Sequence, residues 1–413
     1  MRNVLVINCG SSSLKYQLLD MDEERLLAKG LIERIGLAQG NHAYSRPGRD
    51  DIVQEAPVPD HARAMQLLLA ALVDPTHGVL RSLGEIAAVG HRIVHAGEKY
   101  AASVRIDNAV LAALEACIPL APLHNPANLT GLRAAAACLP DVPMVGVFDT
   151  AFHQTMPDRA YIYPLPYRLY VENKIRRYGF HGTSHRYVAQ RTAQILGRDL
   201  SELNLVTCHL GNGASVCAID GGRSIDTSMG FTPLEGLMMG TRCGDIDAAI
   251  VGYLSERMGL SLADIDKMLN KQSGMLGISG ISSDLRDVEK AYANGDDRAR
   301  LALEIYTYHI RKYIGAYAVA LGRVDAIVFT AGVGEHDSLV REWSCQGLDI
   351  LGAQLDTFKN ATRHDEAVIS RMGSRVKIMI VPTNEELMIA RDTAELVFPC
   401  AVEIVAGLNQ ERR

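Results

Sequence analysis

The 413 residues carry 42 Lys and Arg against 48 Asp and Glu, a net charge of −6 without a long basic run, so electrostatics does not suggest nucleic acid or an anionic membrane as partner. Apolar residues make up 48% of the chain, enough for a sizeable core in each of roughly two to three domains. No uninterrupted apolar stretch approaches the roughly 20 residues that span a bilayer. The eight cysteines form no C-x-x-C pair and no zinc-type spacing, so they read as free thiols of a reducing compartment. Met1 to Ile7 lacks the build of a signal peptide, and the expected location is cytoplasmic.

In chain order, Val4 to Ile7 is a β-branched apolar run that predicts a strand, followed by the turn string Asn8-Cys9-Gly10-Ser11-Ser12-Ser13. Leu14 to Leu19 alternates like a second strand and ends at Asp20, so a hairpin is expected rather than a strand and helix. Pro143 to Phe148 predicts a buried strand ending at Asp149. The hairpin layout returns at Leu205 to Thr207, His209-Leu210-Gly211-Asn212-Gly213-Ala214 and Ser215 to Ile219, ending at Asp220. Gly10 then aligns with Gly211 and Asn8 with His209, which suggests an internal duplication. Asp287 to Leu321 has helical periodicity broken near Asn294-Gly295. Val324 to Phe329 predicts a strand ending in the glycine turn Thr330-Ala331-Gly332-Val333-Gly334. Val376 to Val381 predicts another, ending at Pro382-Thr383-Asn384-Glu385, after which Glu386 to Leu396 looks helical. Such alternation indicates an α/β protein with buried sheets. Ligands in these folds sit at the carboxyl ends of strands, where the polar and glycine-rich strings cluster.

Neither a G-x-x-x-x-G-K-[ST] loop nor a complete G-x-G-x-x-G is present, which removes the main support for P-loop and dinucleotide-binding readings. The hairpin turns instead expose backbone N–H groups that can cradle phosphate oxygens. Asn8, Asp149 and Glu385 are oxygen donors at or just after strand ends, suited to Mg²⁺. Taken singly, each is more simply a helix cap or turn residue. Arg92 in Gly90-His91-Arg92-Ile93-Val94-His95 and Arg242 in Gly240-Thr241-Arg242-Cys243-Gly244-Asp245 stand near glycines, a setting for forked recognition of carboxylate or phosphate. His181 and His185 have the spacing of a zinc pair, but no third ligand is evident.

The strings NCGSSSLKY (8–16), GHRIVHAGE (90–98), PLHNPAN (122–128), FDTAFH (148–153), RYGFHGTSH (177–185), HLGNGAS (209–215), DTSMGFTPLEGLMMGTRCGDID (226–247), SGISSDLR (279–286), FTAGVGE (329–335) and TNEE (383–386) together resemble the acetate kinase family, in the family's order and over nearly the whole chain. The resemblance implies two ribonuclease-H-like α/β domains facing a cleft, as in the actin-like ATPase superfamily. Domain I would be residues 1–150 plus 386–413, and domain II residues 151–385, the latter carrying a homodimer interface. It further implies that Asn8 and Glu385 hold Mg²⁺ (or Mn²⁺) and that Lys15 lies near the ATP phosphates. Arg92 would bind acetate or acetyl phosphate, Asp149 would stand at the catalytic centre, and His181 and Arg242 would stabilise the phosphoryl group in transit. ATP or ADP would meet His209, Leu210, Gly211, Asn212 and Gly213, then Asp284, Leu285 and Arg286, then Gly332, Val333, Gly334, Glu335 and His336. The acetate methyl would meet Val94, Leu123, Phe180 and Pro233. His336 departs from the Asn of many relatives and leaves the base or ribose contact there open.

The implied reaction moves a phosphoryl group from ATP to acetate. It requires positioning and charge neutralisation more than covalent help. Acetate arrives deprotonated at neutral pH, because small carboxylic acids have pKa values of roughly 4–5. A general base therefore has little to remove, and Asp149 is expected to orient a metal-bound water or to align acetate. Two other readings compete, a propionate or other short-chain acid kinase and an actin-like nucleotide switch.

Overall fold

The run that predicts the first strand is buried on both faces in the computed structural model of the chain, which describes residues 2–122 and 124–398. Leu123 and the 399–413 part of the expected first domain lie outside the described residues. The chain divides into two compact units, Met1–Ala151 with Asn384–Arg413, and Phe152–Thr383.

The first unit holds β1 (Asn3–Cys9), β2 (Ser13–Asp20), β3 (Arg25–Glu33), β4 (Gly40–Ser45), β5 (Ile52–Ala56), β6 (Ile86–Ile93), β7 (Val104–Arg105) and β8 (Met144–Phe148). Their order in the sheet is β5-β4-β3-β2-β1-β6-β8-β7. Because strand side chains alternate in direction, β1 feeds two cores. Leu5 and Ile7 join Met65, Leu68 and Leu72 of the His61–Leu72 helix and Ala135 of the Asn125–Cys138 helix. Val4 and Val6 join Ala88, Val145, Val147 and then Ile389 and Ala390 of the Glu385–Val397 helix. Helices on both faces explain why β1 reads as a continuous apolar run rather than an alternating one.

The second unit holds β9 (Asn204–Leu210), β10 (Ala214–Asp220), β11 (Arg223–Thr227), β12 (Ala326–Thr330), β13 (Ala367–Val368) and β14 (Lys377–Ile380), ordered β11-β10-β9-β12-β14-β13. On one face Leu205, Cys217, Val328 and Met379 pack with Val188, Ala189 and Ala193 of the Gly182–Leu196 helix. The long Asp297–Leu321 helix also packs on β9 and β10.

Five strands repeat between the units in the same order and sense. In β3-β2-β1-β6-β8 and in β11-β10-β9-β12-β14 the first two pairings are antiparallel and the next two parallel. The hairpin turns match as well, since the Gly10 N–H donates to Ser13 O (2.8 Å) and the Gly211 N–H to Gly213 O (3.1 Å). The duplication read from the hairpins thus extends to five strands of each ribonuclease-H-like sheet.

One local expectation is corrected. The glycine string after β12 is not an open turn but a short helix, Ala331–His336, entered through Ala331 at a positive φ of 63°. The break near Asn294-Gly295 separates the Leu285–Ala293 and Asp297–Leu321 helices, the second capped by Asp296.

Asn128, 4% exposed, ties two strand ends together: its Oδ1 accepts from the Val94 N–H (3.0 Å) and its Nδ2 donates to Cys9 O (3.0 Å). Asn128→Leu strands a buried donor and a buried acceptor, and should lower stability by about 2–4 kcal/mol in urea unfolding.

Candidate functional site

In the first unit the two-residue period brings three polar side chains together. Val4 and Val6 are followed on the same face by Asn8, Ala88 and Gly90 by Arg92, and Val145 and Val147 by Asp149. The helix that covers this face begins with Glu385 and Glu386, behind an Asn384 cap that accepts from the Leu387 N–H. Arg92 Nε donates to Asp149 Oδ1 (3.2 Å), Nη2 to Asp149 Oδ2, and Nη1 to Asn8 Oδ1 (3.4 Å). Glu385 Oε2 stands 3.9 Å from Arg92 Nε. Three of the five guanidinium N–H groups are engaged in these bonds, which leaves two for an incoming anion.

Asp149 is 2% exposed, and its own N–H donates to Ile93 O (2.9 Å). Burial works against the charge of Arg92, but the carboxylates of Asp149 and Glu385 outweigh it and raise the guanidinium above its ordinary range. Burial likewise raises the Glu385 carboxyl, with Glu386 adding to the effect and Arg92 and Lys15 opposing it. Lys15, opposite Asn8 in the β1–β2 register, reaches Glu386 at 2.5 Å. Among the described residues no three His, Cys, Asp or Glu groups gather as a metal cage. Asn8 with Glu385 is an all-oxygen set, the kind a hard divalent cation takes when waters and phosphate complete its shell. Val94, 5% exposed, lies in this unit; Phe180 and Pro233 lie in the other.

In the second unit His181 takes a left-handed conformation (φ 58°) just ahead of the Gly182–Leu196 helix. Its ring stacks on His209, with centroids 4.1 Å apart. A Cβ placed on Gly213 would lie 3.3 Å from Arg242 Nη1 and 3.7 Å from His181 Nε2, so both nitrogens converge on the open side of that glycine. Arg242 donates to Pro233 O (3.2 Å) and has no acidic partner among the described residues. Burial alone lowers its pKa, the mark of a cation short of a counter-charge. His185 is no zinc ligand in this arrangement: its nitrogens bond Thr207 Oγ1 (2.7 Å) and Ser215 Oγ (2.8 Å).

Beside these groups opens a cavity of about 940 Å³, lined among others by Gly211, Asn212, Gly240, Asp284, Leu285, Arg286, Gly332, Val333 and His336. Asp284 caps the Leu285–Ala293 helix and is held down to about 2, chiefly by its hydrogen bond from the Arg286 guanidinium. Leu210, Gly213 and Gly334 do not line the cavity, and Glu335 accepts from the Thr383 N–H (3.2 Å). Arg341, fully buried, fixes the Ala331–His336 helix by donating to the carbonyls of Gly334 and Glu335, both at 2.9 Å.

Reading the sequence missed Glu289, Tyr306 and Asp337, which line the cavity from three different helices or their caps. Nothing local marks them: Glu289 is one of two acids on an amphipathic helix. Burial, then the hydrogen bond and charge of Asp337, pushes Glu289 up from 4.5 to about 8. Such a carboxyl holds a proton in the fold that the unfolded chain has lost, so stability falls as pH rises from 4.5 toward about 8. Glu289→Gln should flatten that decline and be the more stable form near the upper end. The gain is on the order of 1 kcal/mol, since the site is half-exposed and screened. Urea midpoints at the two ends of the window check it.

A family model described as the acetokinase family matches residues 3–391. The chain is 59% identical over 394 residues to a protein named acetate kinase from Carboxydothermus hydrogenoformans, covering 95% of this chain and 99% of that one. Among solved structures, Porphyromonas gingivalis acetate kinase is similar at a TM-score of 0.93 and 49% identity, covering 96% of this chain and 100% of that chain. A propionate kinase from Francisella tularensis is similar at a TM-score of 0.90 and 42% identity, with the same 96% and 100% coverage. The chain belongs to the acetokinase family and is a phosphotransferase with a carboxyl group as acceptor.

Proposed function

We propose that the chain transfers the γ-phosphoryl group of ATP reversibly to acetate, giving acetyl phosphate and ADP, with Mg²⁺ (or Mn²⁺) assisting. The observation that carries this reading is Arg242, a half-buried cation with no acidic partner among the described residues, converging with His181 Nε2 on Gly213 beside a glycine-lined cavity. That arrangement suits a phosphoryl group, whose negative charge spreads over several oxygens during transfer.

Asn8 and Glu385 are the residues proposed to hold the metal, and the raised Glu385 carboxyl is a group whose charge a cation would favour. When bound, the ion would screen phosphate charge. The two remaining donors of Arg92 take the acetate carboxylate. Asp149, gripping the other side of the same guanidinium, aligns that fork. This favours an aligning role for Asp149 over a basic one, in keeping with an acceptor that is already ionised. ATP or ADP would occupy the cavity with Asp284, Arg286, Gly332 and His336 along its wall, while Lys15 lies near the phosphates. Val94, buried beside Arg92 in the first unit, is proposed to meet the methyl group. The protein would work in the cytoplasm; no helix among the described residues is long and apolar enough to cross a membrane. Self-association through the second unit is supported by the Ala249–Met258 helix, which buries none of its residues and exposes Tyr253 and Met258.

A hydroxamate assay with Mg·ATP and acetate tests the reading directly; no acyl phosphate from the intact chain would sink it. The relative named as a propionate kinase motivates a second acid in the same assay, since one methylene in an apolar pocket separates substrates by only about 1–3 kcal/mol. Arg242→Ala should lower kcat by about 10²–10³ with KM nearly unchanged, because its contact strengthens in transfer. Arg92→Ala should instead raise the acetate KM by about tenfold or more. Asp149→Asn should raise the acetate KM and lower kcat while the Mg²⁺ dependence stays as in the parent; a shifted Mg²⁺ dependence would return Asp149 to the metal.

A further inference from the structure

We infer that Ser215, His185 and Thr207 form a hydrogen-bonded chain that fixes the His181 ring as the neutral tautomer with its proton on Nε2. The inference rests on the proposed role of His181 at the phosphoryl group, and concerns three positioning residues rather than catalytic ones.

His181 Nδ1 lies 2.8 Å from Ser215 Oγ, Ser215 Oγ lies 2.8 Å from His185 Nε2, and His185 Nδ1 lies 2.7 Å from Thr207 Oγ1. Ser215, His185 and Thr207 are fully buried. Burial, with His153 and His209 adding to it, keeps the His185 ring neutral, so it carries a single N–H. Two proton arrangements in which Ser215 donates are then possible; one in which it accepts from both rings leaves its own buried hydroxyl proton without an acceptor. In the first, the Thr207 hydroxyl donates to His185 Nδ1, His185 Nε2–H donates to Ser215, and the Ser215 hydroxyl donates to His181 Nδ1. Every donor between Thr207 and His181 Nδ1 is used, and the His181 proton sits on Nε2. In the second, every arrow reverses, and the Thr207 hydroxyl proton is left without an acceptor, because Thr207 Oγ1 has no second polar partner among the described residues. A buried unpaired donor is costly, so the first arrangement prevails.

The consequence falls on the atom that matters. His181 Nε2 is the nitrogen that converges with Arg242 on Gly213, so the chain presents an N–H there. Protonating His181 to the imidazolium would put a proton on Nδ1 and leave a buried hydroxyl proton, that of Ser215 or of Thr207, without an acceptor. Three titratable groups near His181 act in the same sense: His209 is stacked on it, Arg242 stands across Gly213, and His185 lies behind Ser215. His181 therefore serves as a neutral hydrogen-bond donor, and Arg242 supplies the charge.

Histidine-selective ¹⁵N spectra of the full chain test this, with the His181 signals identified by their loss in His181→Gln. The expected result is a neutral Nε2–H ring that stays neutral down to about pH 6, below the ordinary histidine pKa. Ser215→Ala cuts the chain; His181 should then populate the Nδ1–H form or titrate near its ordinary value, and kcat should fall about tenfold with KM within about twofold. An Nδ1–H or imidazolium ring in the parent protein at neutral pH overturns the inference without any variant. So does a His181 tautomer and titration unaltered in a folded Ser215→Ala. Parent protein that forms no acyl phosphate would refute the kinase reading instead, while the spectra would still decide the tautomer.

Discussion

The strict alternation of strand side chains, combined with helices that cover only part of each sheet, governs where chemistry can occur in this fold. Along β1, β6 and β8 the residues that face the Glu385–Val397 helix are Val4 and Val6, Ala88 and Gly90, and Val145 and Val147. One step further along each strand, the same face carries Asn8, Arg92 and Asp149. The second unit repeats the rule. Leu205, Cys217, Val328 and Val381 pack under the Gly182–Leu196 helix, and the next same-face positions are Thr207, Ser215, Thr330 and Thr383, with His209 beyond Thr207. The apolar stretch anchors the sheet, and the polar residue that ends it is held as firmly as the core behind it.

The two units answer the charge problem differently. Arg92 is surrounded by carboxylates that stabilise its charge and lock its orientation, so it resembles a template with a fixed open edge. Among the described residues the Arg242 side chain hydrogen-bonds a carbonyl and a thioether and no carboxylate, and burial destabilises its charge. Binding an anion therefore relieves Arg242 but merely occupies Arg92. In the proposed reaction that difference matches the substrates, because the acetate carboxylate carries the same charge before attack that Arg92 already expects, whereas charge at the phosphoryl group develops during transfer.

Strand runs and the duplicated hairpins were legible because they follow from local patterns, β-branched runs and turn strings; Asn8, Asp149 and Glu385 were legible only as oxygen donors at strand ends, and Arg92 joined them through the family strings. The family strings added the roles. What stayed hidden depends on side chains from distant segments meeting. Glu289 acquires its raised pKa only because two segments distant in sequence bring it beside Asp337 in one cavity, and a sequence window holds no trace of that. The helical fold of Gly332 to Gly334 was hidden too, since glycines argue for a turn. The short helix persists there with Arg341, buried and donating to its last carbonyls. His185 was visible only as half of a zinc spacing, and its actual partners, Thr207 on β9 and Ser215 on β10, lie on the sheet beneath its helix.

Two non-glycine residues with left-handed backbone, His181 and Ala331, stand where the covering helix begins and where β12 ends. Each such conformation costs on the order of 1 kcal/mol and survives only when its surroundings over-determine it. For His181 those surroundings are the stacked His209 ring and the hydrogen bond at Nδ1, so the same contacts that hold the strained backbone also aim the ring. An acceptor that needs no deprotonation makes this arrangement sufficient. With no proton to remove from acetate, little is left for a side chain to do except stand in the right place with the right hydrogen, and rigid buried hydroxyls and imidazoles do that better than a flexible, titrating group.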